Sequence, residues 1–470
     1  MKNISIRKEL VAVLILTFLL PVFLFSQTNF DSIKIAQYKN ITGQFVTSAL
    51  SERKGYEMLK SLCRIGPRLS GSKNSLIAIN WAYNKMLEIG LDTVWKQPVM
   101  VPHWDRGDIE EAVLSDSSNV YSRKLNICAL GESIGTTEEG ITAKVVEVKS
   151  FEELKKRKDE VKGKIVFFSR AFDQKIADTF TGYEKDVDQR YTGPIEAAKY
   201  GAVGVLIRSV TTAFDNVPHT GSTSYSDTLT KIPAAAIGYT DSDLLSDALK
   251  EDPNLTVKLT LNCKTLPDAQ SYNVIGEIKG SEKPDEIIVI GGHTDSWDVG
   301  EGAHDDGAGC TQALEVLDLF KRFHIKPKRT IRVVLFINEE NGGRGGRAYA
   351  SYVDSLKQFH LAAIESDRGA FTPRGFTVNT DSSALIKILD SWLPFLQPAG
   401  IDWIRNGGSG SDVSRLKKAK LLFGYVPDCQ RYFDFHHSAK DVFRVVNPRE
   451  FELGSASMAI LTYLLSEEGI

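Results

Sequence analysis

The feature that most constrains the fold is a series of apolar segments that alternate with helical patterns in the C-terminal half of the chain. IIVIGG (287–292), TIRVVLFI (330–337) and LAAIESD (361–367) begin as nearly continuous apolar runs. Between the first two, apolar residues from Ala313 to Phe320 recur at i, i+3, i+4 and i+7, the spacing of a helix buried along one face. Apolar strands joined by such helices form a parallel or mixed sheet that is covered on both faces. We therefore predict an α/β fold.

The middle of the chain has a different pattern. Residues 121–262 contain their own short apolar runs, such as KIVFF (164–168) and IPAAAI (232–237), separated by loops rich in Gly, Ser and Thr. This length is ordinary for one domain. The segment is predicted to be a separate lobe inserted into a main α/β domain formed by residues 27–120 and 263–470.

The N-terminus has the composition of a secretory signal peptide. Three basic residues precede an apolar run of 16 residues from Leu10 to Phe25, which ends at Ser26 before polar Gln27. That run is shorter than the roughly 18 to 20 residues that span a bilayer, so an uncleaved anchor is the less favoured alternative. We expect a signal peptide at 1–26 and a mature protein that is secreted or periplasmic, with no stable membrane insertion after cleavage.

Composition and charge exclude several classes of protein. Hydrophobic residues make up 42% and charged residues 25%, which is ordinary for a folded soluble protein. Lys and Arg number 57 against 60 Asp and Glu, so no basic surplus is available to bind nucleic acid. The five cysteines are widely spaced and include no CxxC, which argues against a thiolate zinc site.

Residues with catalytic chemistry follow the predicted strands directly. IIVIGG is followed by His293 and Asp295, TIRVVLFI by Asn338 and the pair Glu339 and Glu340, and LAAIES by Asp367. Ligands gather beyond the carboxyl ends of the strands in open α/β sheets. The sequence therefore predicts that these side chains meet at one edge of the sheet.

Two loops add further candidate ligands. GEGAHDDGAG contributes Asp305 and Asp306, and FHHSAKD contributes His436 and His437. Imidazoles and carboxylates without a thiolate suit zinc. Five such ligands are too many for one tetrahedral ion, and they match two ions that share a carboxylate. One of the two adjacent glutamates would then remain as a general base.

With these motifs in place, the sequence resembles the M28 zinc peptidases, and within them the carboxypeptidase Q branch. GGHTDSWDVGEGAHDDGAG, NEENGGRGG, IESD and FHHSAKD occur in the order of the family, and the resemblance begins at IGPRLSGS (65–72). It covers nearly the whole mature chain. The resemblance implies a zinc-exopeptidase-type mixed sheet, covered by helices on both faces, and an inserted protease-associated domain at 121–262.

The resemblance also implies a role for each site residue. Five residues would bind two zinc ions: His293 and Asp367 one ion, Glu340 and His437 the other, with Asp305 bridging them. Glu339 would be the general base, and Asp295 would orient His293. His436 stands where some relatives have a tyrosine that assists the oxyanion, and it is either such a donor or a structural neighbour.

Other residues depart from the family or remain open. His304 replaces an apolar residue of many relatives, and Arg344 and Arg347 make the loop after the glutamate pair basic. His219 lies in the loop VPHTGSTSY (217–225), which could cover the cleft; the histidine itself is either a packing residue or part of the cleft. The Asp305–Asp306 peptide bond is expected to be cis, as in the family.

The leading hypothesis is a secreted dinuclear zinc exopeptidase that cleaves dipeptides or short peptides. It would act as a carboxypeptidase, dipeptidase or aminopeptidase through a metal-bridging hydroxide, with a homodimer implied by the resemblance. One alternative is an acyltransferase with a single zinc, like the glutaminyl cyclases, and another is a non-catalytic, receptor-like relative. The presence of Asp305 argues for two metals, and the complete set of functional residues argues against a receptor.

Overall fold

The structure is a computed structural model that describes residues 32–116 and 121–470. The predicted signal peptide at 1–26 lies outside the described residues. Within the part of the chain that is described, none of the helices has both the length and the apolar character needed to cross a membrane.

Helices and strands are numbered in chain order. The helices are α1 (Ser32–Glu52), α2 (Lys54–Cys63), α3 (Lys73–Ile89), α4 (Phe151–Lys156), α5 (Thr179–Asp186), α6 (Asp188–Tyr191), α7 (Gly193–Ala198), α8 (Tyr239–Glu251), α9 (Ala308–Arg322), α10 (Arg344–Ser355), α11 (Ser383–Asp390), α12 (Leu393–Leu396) and α13 (Pro448–Glu468). The strands are β1 (Thr93–Asp105), β2 (Glu110–Ser115), β3 (Ser122–Leu125), β4 (Ile127–Ala129), β5 (Ile141–Val148), β6 (Ile165–Phe168), β7 (Gly204–Arg208), β8 (Ala234–Ile237), β9 (Thr256–Leu261), β10 (Lys264–Ile278), β11 (Lys283–His293), β12 (Arg329–Phe336), β13 (Phe359–Glu365), β14 (Pro373–Val378), β15 (Trp403–Asn406) and β16 (Leu421–Pro427).

The first sheet is mixed and has the order β1-β10-β12-β11-β13-β16-β14-β15. Its centre is parallel, because β11 pairs in parallel with both β12 and β13, and β13 with β16. The flanks contain antiparallel pairs, namely β1 with β10, β10 with β12, and β14 with β16. The carboxyl ends of the four central strands therefore lie along one edge, as the sequence predicts.

Both faces of this sheet are covered by helices. Along β11, Ile288 and Ile290 pack into the core formed with α1, α9 and α13, whereas Ile287 and Val289 pack into a second core with α10. Successive side chains of a strand point to opposite faces, so a strand buried on both sides is apolar throughout. The predicted α/β class with helices on both faces is confirmed.

A second mixed sheet has the order β3-β2-β9-β5-β6-β7-β8-β4. Its strands run from Glu110 to Leu261, and its two cores are formed largely by residues of that segment. We call the part of the chain from 110 to 261 the second lobe. The boundaries 121–262 and the identity of the segment as a protease-associated domain stay predictions.

Two buried carboxyl groups lie together where α9 and α13 meet the start of α2. Glu315 and Glu452 are both fully buried, and Glu452 Oε1 accepts a hydrogen bond from Tyr56 N at 2.9 Å. Burial, followed by the charge of Glu315, raises the pKa of Glu452 to about 10, and burial also raises the pKa of Glu315. The pair therefore retains a proton at neutral pH.

This pair predicts how stability depends on pH. Because the folded-state pKa of Glu452 lies above the usual value of 4.5, its contribution to stability is complete below that pH and is lost as the pH rises toward about 10. Glu452→Gln should remove this dependence, since the amide still accepts the Tyr56 N–H and needs no proton. The melting temperature of the variant relative to wild type, measured by calorimetry, should therefore increase between pH 5 and pH 8. The underlying change is at most about 1.4 kcal/mol per pH unit. A difference that is independent of pH would contradict the shared proton.

Candidate metal centre

The parallel strands bring three of the predicted site segments to one edge. His293 is the last residue of β11, Glu339 and Glu340 follow β12 after two residues, and Asp367 follows β13 after one. His293 pairs with Phe336, the last residue of β12, so these strand ends are level with one another. The edge is the one predicted from the sequence.

The carboxylate of Asp305 lies between two imidazoles. Its Oδ1 is 3.2 Å from His293 Nε2, and its Oδ2 is 3.4 Å from His437 Nε2. Asp367 Oδ1 lies 3.5 Å from His293 Nε2, and Glu340 Oε2 lies 3.1 Å from His437 Nε2. The five predicted ligands therefore form two groups that share Asp305.

The donor atoms of these groups are suited to metal binding. His293 Nε2 and Asp305 Oδ2 are buried and have no hydrogen-bond partner. Ligand atoms of His293, Asp305 and Glu340 all lie within 4.8 Å of one another. Buried polar atoms without partners are costly unless an ion or water satisfies them. Nitrogen and oxygen donors are also the set that zinc accepts, so the residues fit zinc.

The loop that carries Asp305 is held by a second aspartate near the C-terminus. Asp441 accepts hydrogen bonds from His304 N at 2.8 Å and from Asp305 N at 3.0 Å. The Asp305–Asp306 peptide bond is cis, as the resemblance implies. Asp306 has a carboxylate oxygen within 4.8 Å of ligand atoms of His293 and Asp367, but its two oxygens accept hydrogen bonds from the backbone amides of His293 and Gly309. Asp441 thus fixes the backbone position of Asp305.

A buried arginine holds the other side of the same loop. Arg68 is fully buried and donates to the carbonyl oxygens of Thr294 at 2.7 Å and Gly302 at 2.8 Å, and also to that of Glu301. Sequence analysis identified the segment IGPRLSGS only as a motif of the family resemblance, and it did not single out Arg68 or Asp441. The sequence signal for Asp441 was its position at the end of FHHSAKD.

Asp295 contacts more than the ring of His293. His293 Nδ1 lies 3.0 Å from the backbone oxygen of Asp295 but 3.7 Å from its carboxylate. The carboxylate instead accepts hydrogen bonds from Glu339 N at 3.2 Å and from Ser70 Oγ at 3.0 Å. The Asp295 backbone therefore orients the imidazole, and its side chain orients the segment with the two glutamates.

Burial raises the pKa values of both adjacent glutamates. It raises the pKa of Glu339 to about 7, and a hydrogen bond from Ser411 acts in the other direction. Burial and the charge of Asp305 raise the pKa of Glu340 well above its usual value. A bound cation would oppose both shifts. Both glutamates line the cleft described below, and Glu340 Oε2 also faces His437.

The two adjacent histidines stack on each other with ring centroids 3.5 Å apart. His436 Nε2 lies 3.7 Å from Asp305 Oδ2, and burial lowers the pKa of His436 to about 3, so its ring is neutral at physiological pH. His304 is not at the site, because its ring stacks on Phe371 at 4.3 Å and accepts the amide hydrogen of Ala370. His304 is therefore a packing residue.

A cleft of about 740 Å³ opens over these residues. Arg190 of the second lobe lines it and is only 6% exposed. Its Nη2 donates to Tyr183 Oη at 2.7 Å, and its Nη1 lies 3.4 Å from His437 Nδ1. Among residues 32–116 and 121–470, no carboxylate forms an ion pair with Arg190, and its buried Nε has no partner. Sequence analysis did not identify this residue.

The loop 217–225 of the second lobe contacts the backbone of the ligands. Thr220 N donates to His437 O at 2.9 Å, and Ser222 Oγ donates to Glu340 O at 2.8 Å. His219 Nδ1 lies 2.6 Å from His436 O, so this histidine contacts the site from behind and does not line the cleft. The loop supports the backbone of the candidate ligands, and Ser222 and Arg190 are among the residues of the second lobe that line the cleft.

Comparison with known proteins gives a consistent result. The model of the family described as Peptidase family M28 matches residues 273–459. Carboxypeptidase Q of Mus musculus is 37% identical over 451 residues, which cover 94% of this chain and 93% of that protein. Carboxypeptidase Q of Homo sapiens is 36% identical over 450 residues, with coverage of 94% and 92%.

A solved structure supports the same relationship. The peptidase M28 precursor from Shewanella amazonensis SB2B superposes with a TM-score of 0.87 at 34% identity, covering 93% of this chain and 98% of that one. The chain belongs to peptidase family M28. The predictions of this family and of a zinc-dependent hydrolase are therefore confirmed. A zinc aminopeptidase from Bacillus subtilis shares the fold, with a TM-score of 0.62 at 21% identity.

The contacts of Asp441 predict that it controls metal affinity without being a ligand. Asp441→Asn keeps one acceptor oxygen but cannot hold the amides of both His304 and Asp305. Zinc affinity should fall by about 10-fold to 100-fold, the range for residues that orient ligands. Competition with a chromophoric chelator measures it. Asp428→Asn, which removes an exposed ion pair with Arg374, is the control and should bind zinc like wild type. Unchanged affinity in Asp441→Asn would contradict this role.

Proposed function

We propose that the chain is a dinuclear zinc exopeptidase that hydrolyses dipeptides and short peptides with a free carboxyl terminus. The observation that carries the proposal is the placement of Asp305, whose two oxygens face His293 and His437 separately. His293 and Asp367 would hold one ion, Glu340 and His437 the other, and Asp305 both. When bound, zinc in such a site activates water and polarises the scissile carbonyl.

The remaining residues have roles that follow from their positions. Glu339 is the general base: one carboxylate oxygen takes a proton from the attacking water, and the same group returns it to the leaving amine. Its pKa of about 7 before metal binding shows how strongly burial favours the protonated form at this position. Neutral His436 is a hydrogen-bond donor to the carbonyl oxygen of the substrate, and Asp295 keeps the Glu339 amide in place.

The general base assignment is tested with Glu339→Gln. The amide cannot take up the proton, so kcat should fall by at least about a hundredfold, while zinc content stays near that of wild type. His437→Ala should instead lower zinc content, because it removes a ligand. Metal analysis and steady-state kinetics on a dipeptide measure both effects. Wild-type turnover in Glu339→Gln, or loss of its zinc, would refute the assignment.

Arg190 favours a carboxypeptidase or dipeptidase over an aminopeptidase. A guanidinium that is 6% exposed and has no carboxylate partner among the described residues is unfavourable without an anion. It lines the same cleft as the metal ligands, where the terminal carboxylate of a short peptide provides that anion. Charge-assisted, bidentate binding of a carboxylate is the interaction that arginine forms best.

Arg190→Met should therefore weaken binding of free dipeptides selectively. We expect KM for Ala-Ala to rise by about 10-fold to 100-fold, whereas hydrolysis of Ala-Ala amide, slow in wild type, should be nearly unchanged. Arg190→Lys keeps the charge and should recover part of the affinity. An equal loss on the free acid and the amide would indicate a structural role through Tyr183 and would argue against carboxylate recognition.

Two measurements separate this proposal from the alternatives. Two zinc ions per chain are expected here, one in an acyltransferase like the glutaminyl cyclases, and none in a receptor-like relative. The N-terminal signal pattern supports a secreted or periplasmic protein, and mass analysis of the exported protein tests cleavage after Ser26. The homodimer stays a prediction, which light scattering tests.

A further inference from the structure

The cleft contains a pair of cationic side chains, in addition to Arg190, that the proposed mechanism does not use. Arg347 lies in α10, and Arg415 ends a short helical turn, Val413–Arg415. Both line the cleft, and both are solvent-exposed. Sequence analysis placed Arg344 and Arg347 in a basic loop after the glutamate pair, whereas the structure places both in α10.

The two guanidinium groups converge on Gly343. A Cβ placed at Gly343 would lie 3.3 Å from Arg347 Nη1 and 3.5 Å from Arg415 Nη2. Gly343 has a φ of 63°, so a residue with a side chain is disfavoured there and the space between the guanidiniums stays open. Two like charges this close repel each other unless an anion lies between or beside them.

Among the described residues, no carboxylate provides that anion. Neither Arg347 nor Arg415 forms an ion pair there, and Arg347 Nη2 donates to Gly342 O at 2.6 Å. Arg344, in the same helix, differs, because its Nη1 binds Asp268 at 2.5 Å and Met100 O at 3.0 Å. The start of α10 therefore has one arginine whose charge is balanced and one whose charge is available to a ligand.

The pair is separate from Arg190. Arg190 lies against His437, whereas Arg347 and Arg415 lie against Gly343, three residues beyond Glu340. Arg415 also follows the segment of Ser411, whose side chain hydrogen-bonds Glu339. The cleft thus presents two cationic sites at different places on its wall.

We propose that Arg347 and Arg415 form an anion subsite that binds the side-chain carboxylate of an acidic residue in the peptide substrate. The inference rests on the proposed function and adds a substrate class to it: peptides with an Asp or Glu side chain in addition to the terminal carboxylate. Two guanidiniums offer parallel N–H donors that match the two oxygens of a carboxylate. The subsite determines specificity and takes no part in the bond cleavage.

The test uses the zinc-loaded full-length mature protein and dipeptide pairs that differ in one charge. Glu-Ala is compared with Gln-Ala, and Ala-Glu with Ala-Gln. In wild type, the Glu peptide of one pair should have a KM at least about tenfold lower than that of the matching Gln peptide. The double variant Arg347→Met/Arg415→Met should lose that preference, and each single variant should lose part of it. Arg344→Met removes the same charge from the same helix and should keep the preference.

Several results would overturn the subsite. The first is that wild type shows no preference for Glu in either dipeptide pair. The second is that the preference survives in the double variant. The third is that Arg344→Met loses the preference equally, which would indicate a general effect of charge. If the double variant instead loses discrimination between Ala-Ala and its amide, the pair binds the terminal carboxylate and the side-chain assignment is wrong.

Failure of the proposed function gives a different result. In that case Ala-Ala is not hydrolysed by wild type although zinc is bound. The subsite is then measured by calorimetric binding of Glu-Ala and Gln-Ala to the zinc-loaded Glu339→Gln protein. Tighter binding of Glu-Ala that disappears on adding the Arg347→Met/Arg415→Met changes supports the subsite, and equal binding of the two peptides refutes it.

Discussion

The arrangement of the whole site depends on one carboxylate that faces two imidazoles. Asp305 presents Oδ1 to His293 and Oδ2 to His437, and those two histidines are 144 positions apart in the sequence. Its loop is therefore held on both sides, by Asp441 at the amides and by Arg68 at the carbonyls. A freely moving loop would point the carboxylate at solvent, where a single ion or none would be bound.

The electrostatics of the site explain why it requires cations. Several carboxylates are buried within one region, and burial raises the pKa values of Glu339, Glu340 and Asp367. Bringing such groups together without positive charge is unfavourable, since each loses hydration and repels the others. The two divalent ions of the proposed centre would compensate this charge, and Arg190 provides a further positive charge at the wall. The buried carboxylates therefore favour metal binding. Because none of the described carboxylates forms an ion pair with Arg190, this arginine stays available to bind substrate.

The sequence was sufficient to predict the residues that depend on strand ends. His293, Glu339 and Asp367 follow apolar strands directly, and the parallel order of those strands brings them together whatever the loops do. Arg68 and Arg190 were not predictable in this way. Arg68 contacts residues more than 220 positions away, and Arg190 reaches His437 across 247 positions. No periodicity or short motif records such contacts, because they arise only when two lobes and several loops pack together.

The second lobe is thus part of the site and not only attached to it. The proposed ligands on one side, His293 and Asp367, are fixed by strands of the main sheet. Those on the other side, Glu340 and His437, receive backbone hydrogen bonds from Ser222 and Thr220 of the second lobe. Because the same lobe provides Arg190, the position of the proposed carboxylate ligand is coupled to the position of that half of the metal centre. A substrate bound by Arg190, as proposed, would therefore stabilise the lobe in the arrangement that also supports His437, and it would link recognition of the peptide terminus to the geometry needed for cleavage.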